Sequence, residues 1–266
     1  APVYLGEGVF KKVQKSGEVH LIDASGKLLN NLGKNNKWRF ETFKNGYCRF
    51  MDENYNYGFI NNKGKVVVQP FSRRTGDFSE GLCVFEDPKT DLYGYIDGEG
   101  KVVIQPVFFF AEAFKNGVAK VQDANTYGWG YINTKGSYVV SPEYDFLPEY
   151  SDWMTVGKLI ETSTDMYELY GVIDKNGKVI IDVKYRWLSD SSDSGLISAQ
   201  NDANKYGFID KTGNTVIPFQ YTDAGSFSEG LAYVRDDKGK YGYIDRTGKT
   251  VIPFTFDVAK NFSEGL

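Results

Sequence analysis

Carboxylates followed by glycine recur along this sequence at a spacing that could hold a cation: Asp97-Gly98-Glu99-Gly100, Asp174-Lys175-Asn176-Gly177, Asp210-Lys211-Thr212-Gly213 and Asp245-Arg246-Thr247-Gly248. A calcium loop needs six or more oxygen ligands, typically with alternating acids and a distal glutamate. Asp174-Lys175-Asn176-Gly177 supplies too few and sets a lysine among them. Two such acids could instead cleave a glycosidic bond, given a separation of about 5 to 10 Å. No spacing selects one pair from 35 acidic residues, and an acid repeated in unit after unit is a poor candidate for a unique catalytic role. His20 is the single histidine, which argues against Ser-His-Asp or Cys-His nucleophiles. Cys48 and Cys83 are two thiols in related places, expected as small buried residues rather than a disulfide or a zinc site. The glycines punctuate hairpins rather than open helices, so no phosphate loop is expected, and neither is a cofactor or a metal.

The alternative for the recurring acids is construction. Aligning aromatic-Gly-aromatic-Ile-Asp/Asn gives "YGFIN" at 57, "YGYID" at 93, "WGYIN" at 129, "YGVID" at 170, "YGFID" at 206 and "YGYID" at 241, with a worn copy, "VHLID", at 19. Repeats of about 36 residues decide the architecture. Tyr241-Gly242-Tyr243-Ile244-Asp245 alternates faces as a strand does. Gly242 implies close approach of another backbone, expected where neighbouring units crowd. Asp245 to Gly248 is a hairpin turn, in which the carboxylate accepts backbone N–H bonds and glycine supplies the positive φ. Thr250 to Pro253 is a second strand, with Pro253 marking an edge or a strand end. A third strand follows "FSEGL", as at Leu231-Ala232-Tyr233-Val234.

One three-stranded meander cannot bury both faces alone, so such units must stack. The expectation is an all-β protein of seven three-stranded antiparallel units in a single domain, residues 1–266. The start, "LGEGVFKKV" at 5–13, matches "FSEGLAYV" and would supply a strand that the ending "FSEGL" at 262–266 lacks. That favours a β-propeller-like ring sealed by the N-terminal strand, since closure removes edges. An open, curved β-solenoid is the alternative.

Composition narrows the partners. Of 266 residues, 41% are hydrophobic, enough for a sizeable core, and 31 basic against 35 acidic residues give a net charge of -4. Nucleic acid is not expected, because phosphate binding calls for a basic footprint. No apolar run reaches the 18 or so residues of a membrane span, and residues 1–20 lack the apolar stretch of a signal peptide.

The motif, followed by x-x-Gly-Lys, Val-Ile-x-Pro and Phe-x-x-Gly-Leu-Ala, resembles the WG repeat, a bacterial β-repeat named for its Trp/Tyr-Gly dipeptide. The resemblance covers about residues 19–266, and Trp129-Gly130 carries the dipeptide literally. It implies an interaction module with no catalytic residues in its motif. Departures from the motif are then the informative positions. The loosened stretch 143–169 places Glu149, Tyr150, Asp152 and Trp153 together, and Trp38 and Trp187 also lie outside the Trp/Tyr-Gly slot. Trp187 aligns with Phe110 and Phe146, each 16 residues after its motif glycine, which suits core filling. Aromatics flanked by acids could anchor a protein or stack on sugar faces. The leading expectation is a non-enzymatic scaffold that docks a protein partner, on a bacterial surface or in the periplasm. Carbohydrate or cell-wall binding is the alternative, and a propeller-type glycoside hydrolase the third reading.

Overall fold

The computed structural model of the chain describes residues 1–34, 36–189 and 195–261, and every regular element in them is a β-strand. The chain divides into two compact units, Ala1–Tyr138 and Val139–Leu266. Each is built from small antiparallel sheets in meander order.

The last sheet shows the pattern. Its strands are Asp223–Ala224, Leu231–Arg235, Tyr241–Asp245 and Thr250–Phe256, paired in that order. The three long strands follow the sequence expectation, but the grouping differs by one strand. Leu231–Arg235 pairs with the Tyr-Gly strand that follows it, from Leu231 opposite Asp245 to Arg235 opposite Tyr241. A two-residue fourth strand precedes it, because the chain leaving Tyr221 turns at Thr222 and lays Asp223 and Ala224 against Arg235 and Val234. The sheets that begin at Arg39–Phe40 and Trp187–Leu188 repeat this plan. The first sheet comprises Val3–Gly6, Val9–Val13, Glu18–Ile22 and Leu28–Lys34, so residues 5–13 pair inside it. In the third, the ten-residue strand Val102–Ala111 joins the Leu82–Glu86 and Tyr93–Asp97 strands to Val118–Asp123 and Trp129–Asn133 in one continuous sheet. The "FSEGL" at 262–266 and the start of "SDSGLISA" at 192 lie outside the described residues.

The turn chemistry is the one the sequence implies. Asp245 Oδ1 accepts from the backbone N–H of Thr247 at 2.9 Å and of Lys249 at 3.1 Å, and Gly248 has φ 86°. Asp174, Asp210 and Asn61 cap their own hairpins identically. Hydrogen bonds from Thr212 and Asn214 pull the Asp210 carboxyl down to about 2. These oxygens are committed to N–H groups of their own turns. The Phe-x-x-Gly segments close as tight hairpins in which both central residues have positive φ, as at Glu80 (51°) and Gly81 (81°). Their side chains reach the next repeat: Glu80 Oε2 accepts from Gly117 N–H at 2.8 Å, and Asn45 Nδ2 donates to Phe78 O at 2.8 Å.

The motif glycine makes a close backbone approach, as expected, but not to a neighbouring unit. A Cβ at Gly242 would lie 2.7 Å from Ile252 O and 3.1 Å from Phe254 N, both on its own hairpin partner rather than on a neighbouring unit. The cause is a bulge. Tyr241 pairs with Phe256 and Tyr243 with Ile252, so four residues of one strand oppose two of the other. Pro253 sits inside that bulge, where no ladder N–H is needed, and so within an edge strand rather than at its end. His20 takes the glycine slot only in the first sheet. There Glu18 pairs with Lys34 and His20 with Asn31, a bulge shorter by one residue. It is the turn glycine that meets the neighbour: Gly248 packs over Ile217, Gly213 over Ile181 and Gly136 over Ile104.

Core residues lie between successive sheets. Leu196, Phe208, Ile217 and Tyr221 of one sheet cluster with Ala224, Phe227, Ala232, Val234 and Ile244 of the next. Phe59 and Val68 meet Phe78, Cys83, Phe85 and Ile96 in the same way. Cys48 and Cys83 are unpaired and fully buried at such junctions, and burial pushes both thiols up to about 12. Because the thiolate is the reactive form, an aromatic disulfide reagent should label neither thiol in the native protein and both after denaturation. Rapid native labelling would contradict this packing.

Candidate functional site

The sequence-predicted positions are divided between the two compact units. Trp38, in the first unit, is half-buried and stacks on Phe50 at 4.1 Å, filling the core around Leu5, Leu21 and Ile60. In the second unit, Trp153 is half-buried and packs against the cluster of Val172, Ile181 and Tyr185. Met154 pairs with Ile173 as Ala232 pairs with Ile244, which sets Trp153, just before its strand, at the place that Leu231 holds. Glu149 is exposed and Tyr150 half-buried, while Asp152, 84% exposed, makes an ion pair with Lys175 at 2.8 Å. Trp187, 38% exposed, leans on Tyr206 at 5.9 Å.

Trp187 belongs to a series. The residue 16 positions after four of the motif glycines, 58, 94, 171 and 207, stands beside the signature aromatic of the following repeat. Phe110 meets Trp129 at 5.8 Å, and Asp223 accepts a hydrogen bond from Tyr241 OH at 2.8 Å. Arg74 holds the same place beside Tyr93. The frame is thus constant and the residue at this position changes from repeat to repeat.

The loosened stretch resolves into the longest hairpin of the chain's described residues. Met154–Glu161 and Met166–Ile173 pair over eight positions, where the corresponding strands elsewhere pair over four to five. Sequence reading saw irregularity here; the structure shows an extension of the same hairpin. Cross-strand pairs share a face. Ile160 with Tyr167 and Lys158 with Leu169 form one side, braced by the Arg186 guanidinium 3.5 Å from the Tyr167 ring centroid. Leu159 with Glu168 and Glu161 with Met166 form the other, and there Leu159 is 43% and Met166 60% exposed.

Sequence reasoning missed a second feature, a cleft of about 1130 Å³ in the first unit. Its walls are the end of the strand Val66–Ser72 and the residues after it (Phe71, Arg73, Arg74), Asp91 of the loop beyond Glu86 with Tyr93 at the start of the next strand, and Phe109 and Phe110 from the long strand. Arg74 Nη1 lies 2.9 Å from Glu86 Oε2. Burial, then the Glu86 carboxylate, raises the Tyr93 phenol. The edge of Phe109 meets Tyr127 at 5.2 Å. Two signals could have exposed the site: the run Phe108-Phe109-Phe110, too long for alternation to bury, and the adjacent arginines 73 and 74.

Comparison with known proteins follows the same units. The model of a family described as "WG containing repeat" matches residues 57–87, 93–127, 129–152, 170–205, 206–241 and 241–266. No curated protein matches the chain. Similar solved structures include BamB from Moraxella catarrhalis, with 10% identity, covering 96% of this chain and 88% of that one, at a TM-score of 0.32. AztD from Citrobacter koseri shows 16% identity over 96% and 86%, at 0.26. Kluyveromyces lactis Hsv2 shows 9% over 92% and 93%, at 0.32. Likenesses at this level carry nothing about partner or chemistry.

Proposed function

The chain belongs to the WG-repeat family, and from that premise we propose that it is a non-enzymatic scaffold that docks a protein partner. The observation that carries this reading is the extended hairpin. The repeat motif is consumed in building turns, bulges and junctions, whereas Leu159 and Met166 present apolar surface on an arm longer than the frame requires. Exposed apolar side chains beside charged ones suit a protein interface, with apolar contacts inside a polar rim. Glu161 and Glu168, on the same face, supply that rim.

The test is affinity capture from source cells with the wild-type chain and with Leu159→Glu/Met166→Glu. A stoichiometric protein should be retained by the wild type and lost, by tenfold or more (about 1.4 kcal/mol), by the variant. Both side chains are exposed, so its melting temperature should change little. Capture that ignores the substitutions, or glycan-array binding with no protein retained, would overturn the reading.

A further inference from the structure

The structure assigns to the first unit a second docking site, independent of the hairpin: we propose that the cleft walled by Phe71, Arg73, Tyr93, Phe109 and Phe110 takes a segment of a protein partner that presents an aromatic or aliphatic side chain beside a carboxylate.

The apolar half of this assignment rests on exposure. Phe109 is 52% and Phe110 41% exposed, with Val107 at 50% and Tyr127 at 57% nearby. The bulge between Phe108 and Phe110 makes this possible. Strict alternation would bury Phe110 along with Phe108, which is 3% exposed; instead the register shift leaves Phe110 at the cleft, between Tyr93 at 5.9 Å and Trp129. Several large apolar side chains lining one concavity are the arrangement in which a side chain from outside is desolvated on more than one face.

The charged half rests on the arginines. Arg73 and Arg74 form the only adjacent arginine pair in a chain of net charge -4. Arg74 is 71% exposed, although one of its nitrogens is engaged by Glu86, whose side chain is only 13% exposed. A guanidinium has five N–H donors, so the bonds to Glu86 and Tyr93 do not use all of those on Arg74. Arg73 is exposed and has no carboxylate partner among the described residues. Glu86 is satisfied by Arg74, which leaves Arg73 and Asp91 as the two uncommitted charges of the wall. That balance discriminates between ligands. A polyanion such as a nucleic acid would meet Asp91 and Glu86 as well as the arginines. A single carboxylate can pair with Arg73 while an adjacent apolar side chain is received by Phe109 and Phe110, a combination that a polypeptide supplies and a neutral sugar does not.

The experiment pans a phage-displayed library of random dodecapeptides on the wild-type chain, then measures the selected peptides in synthetic form by fluorescence anisotropy. Selected sequences should carry Asp or Glu within two residues of Phe, Trp, Leu or Ile. Arg73→Glu and Phe109→Ser should each weaken binding by about tenfold or more while leaving the melting temperature unchanged, since both side chains are exposed. Lysine in place of the peptide's acid should recover binding to Arg73→Glu. Enrichment of basic peptides, enrichment of nothing, or binding indifferent to both substitutions would overturn the assignment. Leu159→Glu/Met166→Glu should leave peptide binding intact, so failure at the cleft and failure at the hairpin are separately visible.

Discussion

Gly94→Ala is expected to lower the stability of the chain by about 3 kcal/mol, seen as a lower urea midpoint. The methyl would enter 2.6 Å from Ile104 O, 2.7 Å from Pro106 N and 2.9 Å from Gln105 C. All three are backbone atoms of the bulged partner strand, so no rotamer change can make room. The bulge would have to open, separating Tyr95 from Ile104, its partner in the register. Tyr95 is fully buried and donates from its hydroxyl to Glu112 O at 2.7 Å, so its displacement would disturb the junction beyond. His20→Gly supplies the contrast. The shorter bulge opposite His20 already accommodates a side chain, and the change should alter stability by less than about 1 kcal/mol, the worth of its hydrogen bond to Gln14. Similar costs at the two sites would mean that the glycine slot is not set by bulge length.

Trp153→Ala carries the second large effect, a loss of about 3 kcal/mol, because the indole covers the core formed by Val172, Ile181 and Tyr185. Trp153→Leu should cost under about 1.5 kcal/mol, since leucine fills the matching strand position at Leu231 and Leu196. The pair of variants separates packing from recognition. If Trp153 served mainly as a partner anchor, both substitutions would spare stability, and Leu would fail in capture as fully as Ala.

Local chemistry was legible in the sequence, and assembly less so. Asp-x-x-Gly turns announce themselves because the carboxylate, the N–H groups and the positive φ all lie within five residues, as Asp245 to Lys249 shows. The repeat family and the all-β class followed from six such units with a common spacing. The grouping of strands into sheets did not. Leu231–Arg235 is linked by a short turn to the Tyr-Gly strand ahead and by "FSEGL" to the strand behind, and only cross-strand register decides which it joins. Gly242 was recognised as a contact glycine, but its partner lies in a two-against-four bulge that strand alternation does not foresee. The cleft was missed because, Tyr93 apart, its walls are residues that the motif leaves unspecified, at positions where each repeat differs. Trp153 drew attention as a departure in residue type while occupying an ordinary place just before its strand.

Amide hydrogen exchange of the chain, alone and with the captured partner, tests most directly whether motif residues build and departures bind. Added protection is expected over residues 159–168 of the long hairpin, with the Tyr-Gly strands 206–210 and 241–245 and their Asp-x-x-Gly turns unchanged. Protection gained at those motif strands and turns, with the hairpin exchanging as it does in the free chain, would contradict it.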